Sequence, residues 1–533
     1  MSDFIPPSSL IETLTEECAF DKRRVANTDN FEIHYLDLTS LKLKVNPDST
    51  PFLIPKRFAN MSHITAAQLH ELILVLEKEV GSGFSGGVLV LGGMLQTLKN
   101  VTQRTLVKNK VAVLARNQFQ EAYQSANSAG LISALTTALV TALGRQALSP
   151  YHSTIPALAG SFFGRGPILK KVFDIQDNFT FVGNRRIGKT SLLQEIKHRL
   201  KISGKPVIIA DLYGAVCSST HEVLTQLLRD IDPSGNYERH STTQDIGHVF
   251  HSTVARLARE STVVVFIDEI DKILAFDQRQ SNELMERFRD VFHKANNTRF
   301  YAAGFRNAKS LMNDVKTPLY GFTKILELEV LTRAESKTMI ELPLLNLGID
   351  IRNSEIVEAI YGETAGHPEL IQMCCAEVIR HVDETGGIPG PTDLLTQVFQ
   401  SGDFREKVFG AFLANTHAPE RLATYLLMKR GFKLGGTFDN FDFDIPTIDE
   451  CLRSVGKQVA TAELYTITEN LLISGILVRR TGSNRFRFAI PQLARYCQNY
   501  GLEFMIRKAL EEIGNLRSSW AEVLRGEPER KLL

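Results

Sequence analysis

An α/β protein organised on a parallel sheet is the expected fold class of this 533-residue chain, and three observations predict it. The run Asn178 to Leu200 (NFTFVGNRRIGKTSLLQEIKHRL) places an apolar strand, a glycine loop and a leucine-bearing helix in succession. The apolar segments Pro206 to Leu212, Thr262 to Ile267 and Arg299 to Phe305 follow it, alternating with helical stretches as βαβ units do. The second of these segments ends in paired acids, Asp268 and Glu269.

At about 100–200 residues per domain, the length suggests three or four domains. Hydrophobic residues make up 43% and charged residues 23%, as in ordinary folded domains. The net charge of +1 argues against a globally basic nucleic-acid binder and leaves local patches open. Cys18, Cys217, Cys374, Cys375, Cys451 and Cys497 contain no C-x-x-C pair, which points away from a disulfide framework or zinc site and toward a reducing compartment. The opening MSDFIPPSSLIETLTEE has no basic n-region or apolar h-region, so a cytoplasmic location is expected.

In chain order, 31–45 alternates apolar and polar residues as one or two strands do, and Thr65 to Val80 carries leucines at helical spacing. Gly87 to Leu91 and Lys110 to Ala115 read as buried strands, with Met94 to Leu106 helical between them, giving a small N-terminal α/β module. Gly81 to Gly86 matches G-x-G-x-x-G by letter but precedes a strand, so it reads as a turn and not a dinucleotide site. Residues 129–144 are uncharged yet fall short of the ~20 apolar residues of a membrane span. Leu131, Leu135, Leu139 and Leu143 instead form one face of a packing or partner helix. Pro150 and Pro156 mark a linker.

The central loop supplies the chemistry. Gly183 and Gly188, with Lys189 and Thr190, stand at the phosphate-binding-loop spacing and in the strand–loop–helix context it requires. Glycines let successive N–H groups converge on phosphate oxygens at a helix N-terminus. Gly183, Asn184, Arg185, Arg186, Ile187, Gly188, Lys189, Thr190 and Ser191 are therefore the candidate contacts to ATP or ADP. Lys189 would place a charge near the β and γ phosphates, and the Thr190 hydroxyl would enter a Mg²⁺ shell. Asp268, about 80 residues downstream at a strand end, would hold that shell through water, and Glu269 would polarise the attacking water. Taken alone, DEID could equally open a helix with acids in its first turn. Arg306 and Asn307 end the next strand, where polar side chains can reach a γ-phosphate or cap the following helix. Lys324 to Val330 supplies a fifth strand, and Thr332 with Glu335 forms a capping box.

Pro disfavours helix at His367, so a fresh helix is expected from Glu369. Helices are expected over Pro419 to Arg430, Ile448 to Val455 and Thr461 to Leu472, with a Gly- and Asp-rich loop carrying Phe438, Phe441 and Phe443 after the first. Residues 476–490 (ILVRRTGSNRFRFAI) read as a hairpin turning at Thr481 to Asn484, which completes the winged-helix order. Arg479, Arg480, Arg485 and Arg487 make the hairpin basic, a candidate DNA-phosphate surface. The preceding helix carries Glu463 and Glu469 and no Lys or Arg, which favours a protein partner over DNA. After Tyr500 a packed helix and frayed end are expected.

Together FFGRG (162–166), GNRRIGKTS (183–191), FIDEID (266–271), TPLYGF (317–322) and ETAGHPELIQMCC (363–375) resemble the STAND-type ATPases, more narrowly the AAA-like bacterial and archaeal group often named simply ATP-binding proteins. The resemblance covers roughly 160–500 and implies a P-loop core with strand order 5-1-4-3-2, a helical lid and a winged helix. It implies an ATP-gated switch that self-assembles as a homo-oligomer in the ATP state. It places Gly366, His367 and Pro368 by the nucleotide, and Gly164 and Arg165 near the base. Many members carry paired aspartates where this chain has Asp268 and Glu269, as hydrolytic AAA+ relatives do. The expected division is an N-terminal effector or partner-binding module over 1–150, a core over 160–340, a lid over 341–400, a winged helix over 401–500, and a helix and tail over 501–533.

Overall fold

The computed structural model describes residues 7–16, 18, 20–27, 31–44, 50–55, 87–91, 111–125, 127–151, 157, 161–213, 219–237, 242–315, 317–318, 320–352, 354–401, 413, 416–434, 441–480, 482–515, 519–520 and 524. The helices expected over Thr65 to Val80 and Met94 to Leu106, the turn at Gly81 to Gly86, and Pro156, Cys217, Phe438, Thr481 and the charged tail lie outside them. The chain divides into two compact units. One comprises Met1–Phe163, Ala334–Ile360 and Ile371–Leu395, the other Gly164–Arg333, Tyr361–Leu370 and Thr396–Leu533. Helices of the expected lid are thus shared between the two units.

The first unit holds α1 (Pro7–Glu16) and a five-stranded sheet in the order β1-β2-β3-β4-β5. β1 (Lys22–Asn27), β2 (Phe31–Leu36) and β3 (Thr50–Pro55) are antiparallel, whereas β4 (Gly87–Leu91) and β5 (Val111–Ala115) continue parallel to β3. Only the first part of 31–45 is strand; a 3₁₀ turn follows at Thr39–Leu41. β1 is an edge strand rich in Lys and Arg, a composition that discourages pairing with another chain. After α2 (Arg116–Gln124), α3 (Ser128–Leu143) packs on β5 through buried Leu131, Leu135 and Leu139, and Asn127 caps its first turn. No helix among the described residues is long and apolar enough to cross a membrane. In the same unit the Tyr151 hydroxyl donates to the Met339 carbonyl at 2.9 Å, and Asn346 donates to the Leu41 carbonyl at 2.7 Å.

The second unit opens with α4 (Gly166–Ile175) and a parallel sheet of β6 (Phe179–Gly183), β7 (Val207–Tyr213), β8 (Thr262–Asp268), β9 (Thr298–Gly304) and β10 (Lys324–Leu328). Its order β10-β6-β9-β8-β7 is 5-1-4-3-2 counted along the core, as expected. Helices α5 (Lys189–Ile202), α6 (Thr220–Ile231), α7 (Thr243–Leu257), α8 (Ile270–Gln278), α9 (Glu283–Lys294) and α10 (Arg306–Asn313) connect the strands. Helices on both faces explain why the strands read as unbroken apolar runs. Phe288, Phe292, Phe300 and Phe322 cluster in the core on one side, the ring centroids of Phe300 and Phe322 only 5.0 Å apart, while Phe266 meets Tyr301 at a tilt with centroids 5.4 Å apart. The Asn178 side chain ties the sheet at its entry, accepting from Phe300 N–H at 2.9 Å and donating to the Phe322 carbonyl.

Four more helices follow β10: α11 (Arg333–Asn346), α12 (Ile356–Thr364), α13 (Pro368–Thr385) and α14 (Pro391–Gln400). The C-terminal region is α15 (Ala418–Lys433), α16 (Ile445–Arg453), α17 (Thr461–Ile473), the hairpin β11–β12 (Leu477–Arg479, Phe486–Phe488) and α18 (Pro491–Gly514). Buried Glu420 accepts from the His417 N–H at 2.9 Å and from Asn470 at 2.7 Å, joining α15 to α17. Phe443 pairs with Phe486, so one of the loop aromatics docks on the hairpin.

Candidate functional site

The site forms where β6, β8 and β9 end together at the carboxyl edge of the sheet. Gly183 must be glycine there: a Cβ would lie 2.8 Å from the Leu328 carbonyl oxygen of neighbouring β10. Gly183→Ala should cost about 1–3 kcal/mol, as overpacking does, read as a lower denaturation midpoint; an unchanged midpoint would contradict this packing. Gly188 adopts φ +97°, a left-handed conformation that lets the loop turn into α5.

Lys189 reaches back into the loop and donates to the carbonyls of Gly183 at 2.8 Å and Asn184 at 2.7 Å. Burial of its ammonium lowers its pKa to about 8 against the pull of Asp271, Asp268 and Glu269. Although the residue as a whole is half-buried, the charged end is enclosed. The Thr190 hydroxyl donates to the Asp268 carboxylate at 2.7 Å, bringing together two residues 78 positions apart. The second Asp268 oxygen accepts the Glu269 N–H at 2.9 Å. No group of three or more His, Cys, Asp or Glu side chains among the described residues could hold a metal ion. One hydroxyl and one carboxylate fit Mg²⁺, which is commonly held by one or two protein oxygens together with phosphates and water.

Glu269 sits at φ +52° and is ion-paired with Lys272. It also takes a hydrogen bond from Tyr213, which stands beside Asp268 in the β7–β8 register. Arg306 and Asn307 open α10 at the end of β9, beside the acids; their side chains lie outside the described set. Gly164 and Arg165 both have positive φ, and buried Arg165 donates to the Ile187 carbonyl at 3.1 Å. Arg165 therefore braces the loop from behind.

Within the loop, Asn184 is buried and accepts from the Arg185 N–H at 2.7 Å, while Ile187 and Ser191 are buried. Arg186, at φ +59°, forms an ion pair with buried Glu369 just after Pro368. Gly366 accepts the Leu331 N–H at 2.9 Å, so the turn before α13 is held to the end of β10. His367 is 2% exposed, and burial, with Arg165 nearby, lowers its pKa to about 3 despite a hydrogen bond to the Arg185 backbone. Its folded value lies below the unfolded 6.5, so its neutral-state stability is complete above pH 6.5 and is lost as pH falls toward 3, by up to about 1.4 kcal/mol per unit. Denaturation midpoints of the parent should fall between pH 6.5 and 4, and His367→Gln should flatten that slope; equal slopes would count against it.

Tyr213, Lys272 and Glu369 join the site without belonging to the loop or acidic motifs. Glu369 follows the Gly-His-Pro turn, but neither periodicity nor spacing links it to Arg186 across 183 positions.

Residues 176–311 match the family model described as the AAA domain. Sheet order and loop together define a P-loop NTPase fold, and its 176–311 segment is similar to the AAA domain. Among solved structures, the Walker-type ATPase PABY2304 of Pyrococcus abyssi is 17% identical over 63% of this chain and 96% of its own, with a TM-score of 0.45. The Aeropyrum pernix ORC2 protein in its ADPNP–ADP complexes is 16% identical over 65% and 91%, with a TM-score of 0.44. Cdc6p of Pyrobaculum aerophilum is 13% identical over 68% and 98%, at 0.35. Overlaps this loose carry nothing about activity. No curated protein matches.

Proposed function

We propose that the chain is an ATP-binding and ATP-hydrolysing molecular switch of the STAND/AAA-like kind, in which nucleotide state governs self-assembly. The observation that carries this is the Thr190–Asp268 contact beside the loop-bound Lys189 ammonium. Loop N–H groups and Lys189 bind and orient the phosphates. Thr190 and, through water, Asp268 would hold Mg²⁺, which would supply neutralising charge for the phosphates. Glu269 accepts the proton of the attacking water, a role that requires its carboxylate to leave Lys272 and Tyr213. Arg306 and Asn307 are the candidate γ-phosphate sensors, and His367 and Pro368 approach the nucleotide. A first 150-residue module and the helix–hairpin region, read as a winged helix, present protein-binding surfaces.

DNA is the weaker partner. All four hairpin arginines are exposed, but Arg479 is ion-paired with Glu469 and Arg480 with Asp442, which offsets half of the hairpin's positive charge. The outward face of α17 presents Tyr465, 56% exposed, and no cation. The test is a size measurement with ADP, ATP and a slowly hydrolysed ATP analogue. Growth of the particle with the analogue alone is expected. A mass indifferent to nucleotide would end the switch reading, and steeply salt-dependent duplex binding would favour a DNA-acting ATPase.

A further inference from the structure

Asp271 is a buried carboxylate for which the mechanism has no use so far. It lies in the first turn of α8, three residues after Asp268, yet it does not serve its own helix alone. Its two oxygens accept the Phe305 N–H at 2.5 Å and the Ala308 N–H at 2.8 Å. Phe305 is the N-cap residue of α10 and offers no side-chain cap. The cap therefore comes from α8, and it spans the turn on which Arg306 and Asn307 ride. A second feature marks the same junction. A Cβ on Gly304 would lie 2.7 Å from the Ala308 Cβ, 2.8 Å from Ile270 Cγ2 and 3.0 Å from the Asp271 carboxylate. The end of β9 is thus fitted against the start of α8 with no room for a methyl group.

We infer that Asp271 is a positioning residue that makes the Arg306–Asn307 turn move as one body with the acidic end of β8. The inference rests on the hydrolytic reading of the site and adds a residue to it. Displacement of Asp268 and Glu269 on nucleotide binding is transmitted through a two-point carboxylate bridge, and loss of the bridge lets the turn shift independently. Misplacement of about 1 Å at a distance from the chemistry can cost roughly 100-fold in rate.

Asp277 provides the matched control. It is another buried carboxylate capping a helix, accepting from Leu284 N–H at 2.8 Å and Met285 N–H at 3.0 Å, but it faces α9 and not α10. The experiment compares kcat for ATP and affinity for ADP in the full chain, the D271N and D277N variants, and Gly304→Ala, which crowds the junction while keeping the Asp271 carboxylate's charge. Expected is a loss of kcat of about 10- to 100-fold in D271N and Gly304→Ala with ADP affinity within about threefold, and an unchanged kcat per folded molecule in D277N. Retained ADP binding verifies the fold of each variant. A parental kcat in D271N, or equal losses in D271N and D277N, overturns the inference alone. A parent without turnover overturns the hydrolytic reading and the inference with it.

Discussion

Lys189→Ala is expected to weaken ADP binding by roughly 10- to 100-fold and to abolish turnover, measured by titration calorimetry and phosphate release. Hydrogen bonds to charged groups are worth about 1.5–3 kcal/mol, which sets that range. Two effects combine. The phosphates lose their ammonium, and the loop loses the brace across the Gly183 and Asn184 carbonyls that keeps its N–H groups turned toward the ligand. Lys189→Arg should not rescue binding, because a planar guanidinium cannot copy a point donor on a flexible stem between two carbonyls of one turn. ADP affinity within twofold of the parent in Lys189→Ala would sink the nucleotide site altogether.

Glu269→Gln should separate binding from chemistry. General-base assistance contributes about 10²- to 10⁴-fold, so single-turnover hydrolysis should slow by that order while ADP affinity holds within a few-fold. The isosteric amide removes the proton acceptor and also the ion pair to Lys272. That pair is surface-exposed and contributes little to stability, so the variant should unfold at nearly the parent's midpoint. Equal and negligible rates in parent and variant would leave a non-hydrolysing nucleotide-dependent scaffold as the correct description.

The parts of the site legible from the chain are those written in adjacent residues. Gly183 to Thr190 announces itself because one turn of backbone must hold several N–H groups together, and only that spacing of glycines allows it. The apolar run into Asp268 and Glu269 is local in the same way. In the first unit, β1 and β3 escaped the sequence reading for a physical reason. KRRVAN is charged because it lies on an edge, and TPFLIP carries two prolines, both of which argue against strand by composition.

Local order therefore settled the nucleotide loop, the acidic strand end and the alternation of strand and helix that makes a parallel sheet. Folding alone decided which distant groups meet there: Thr190 with Asp268, Arg186 with Glu369, Tyr213 with Glu269, and Asp271 across to the turn after β9. Periodicity constrains which face of an element is buried, but a side-chain pair between elements depends on where the sheet brings their ends. That placement is set by strand order and packing, which no single stretch of the chain contains.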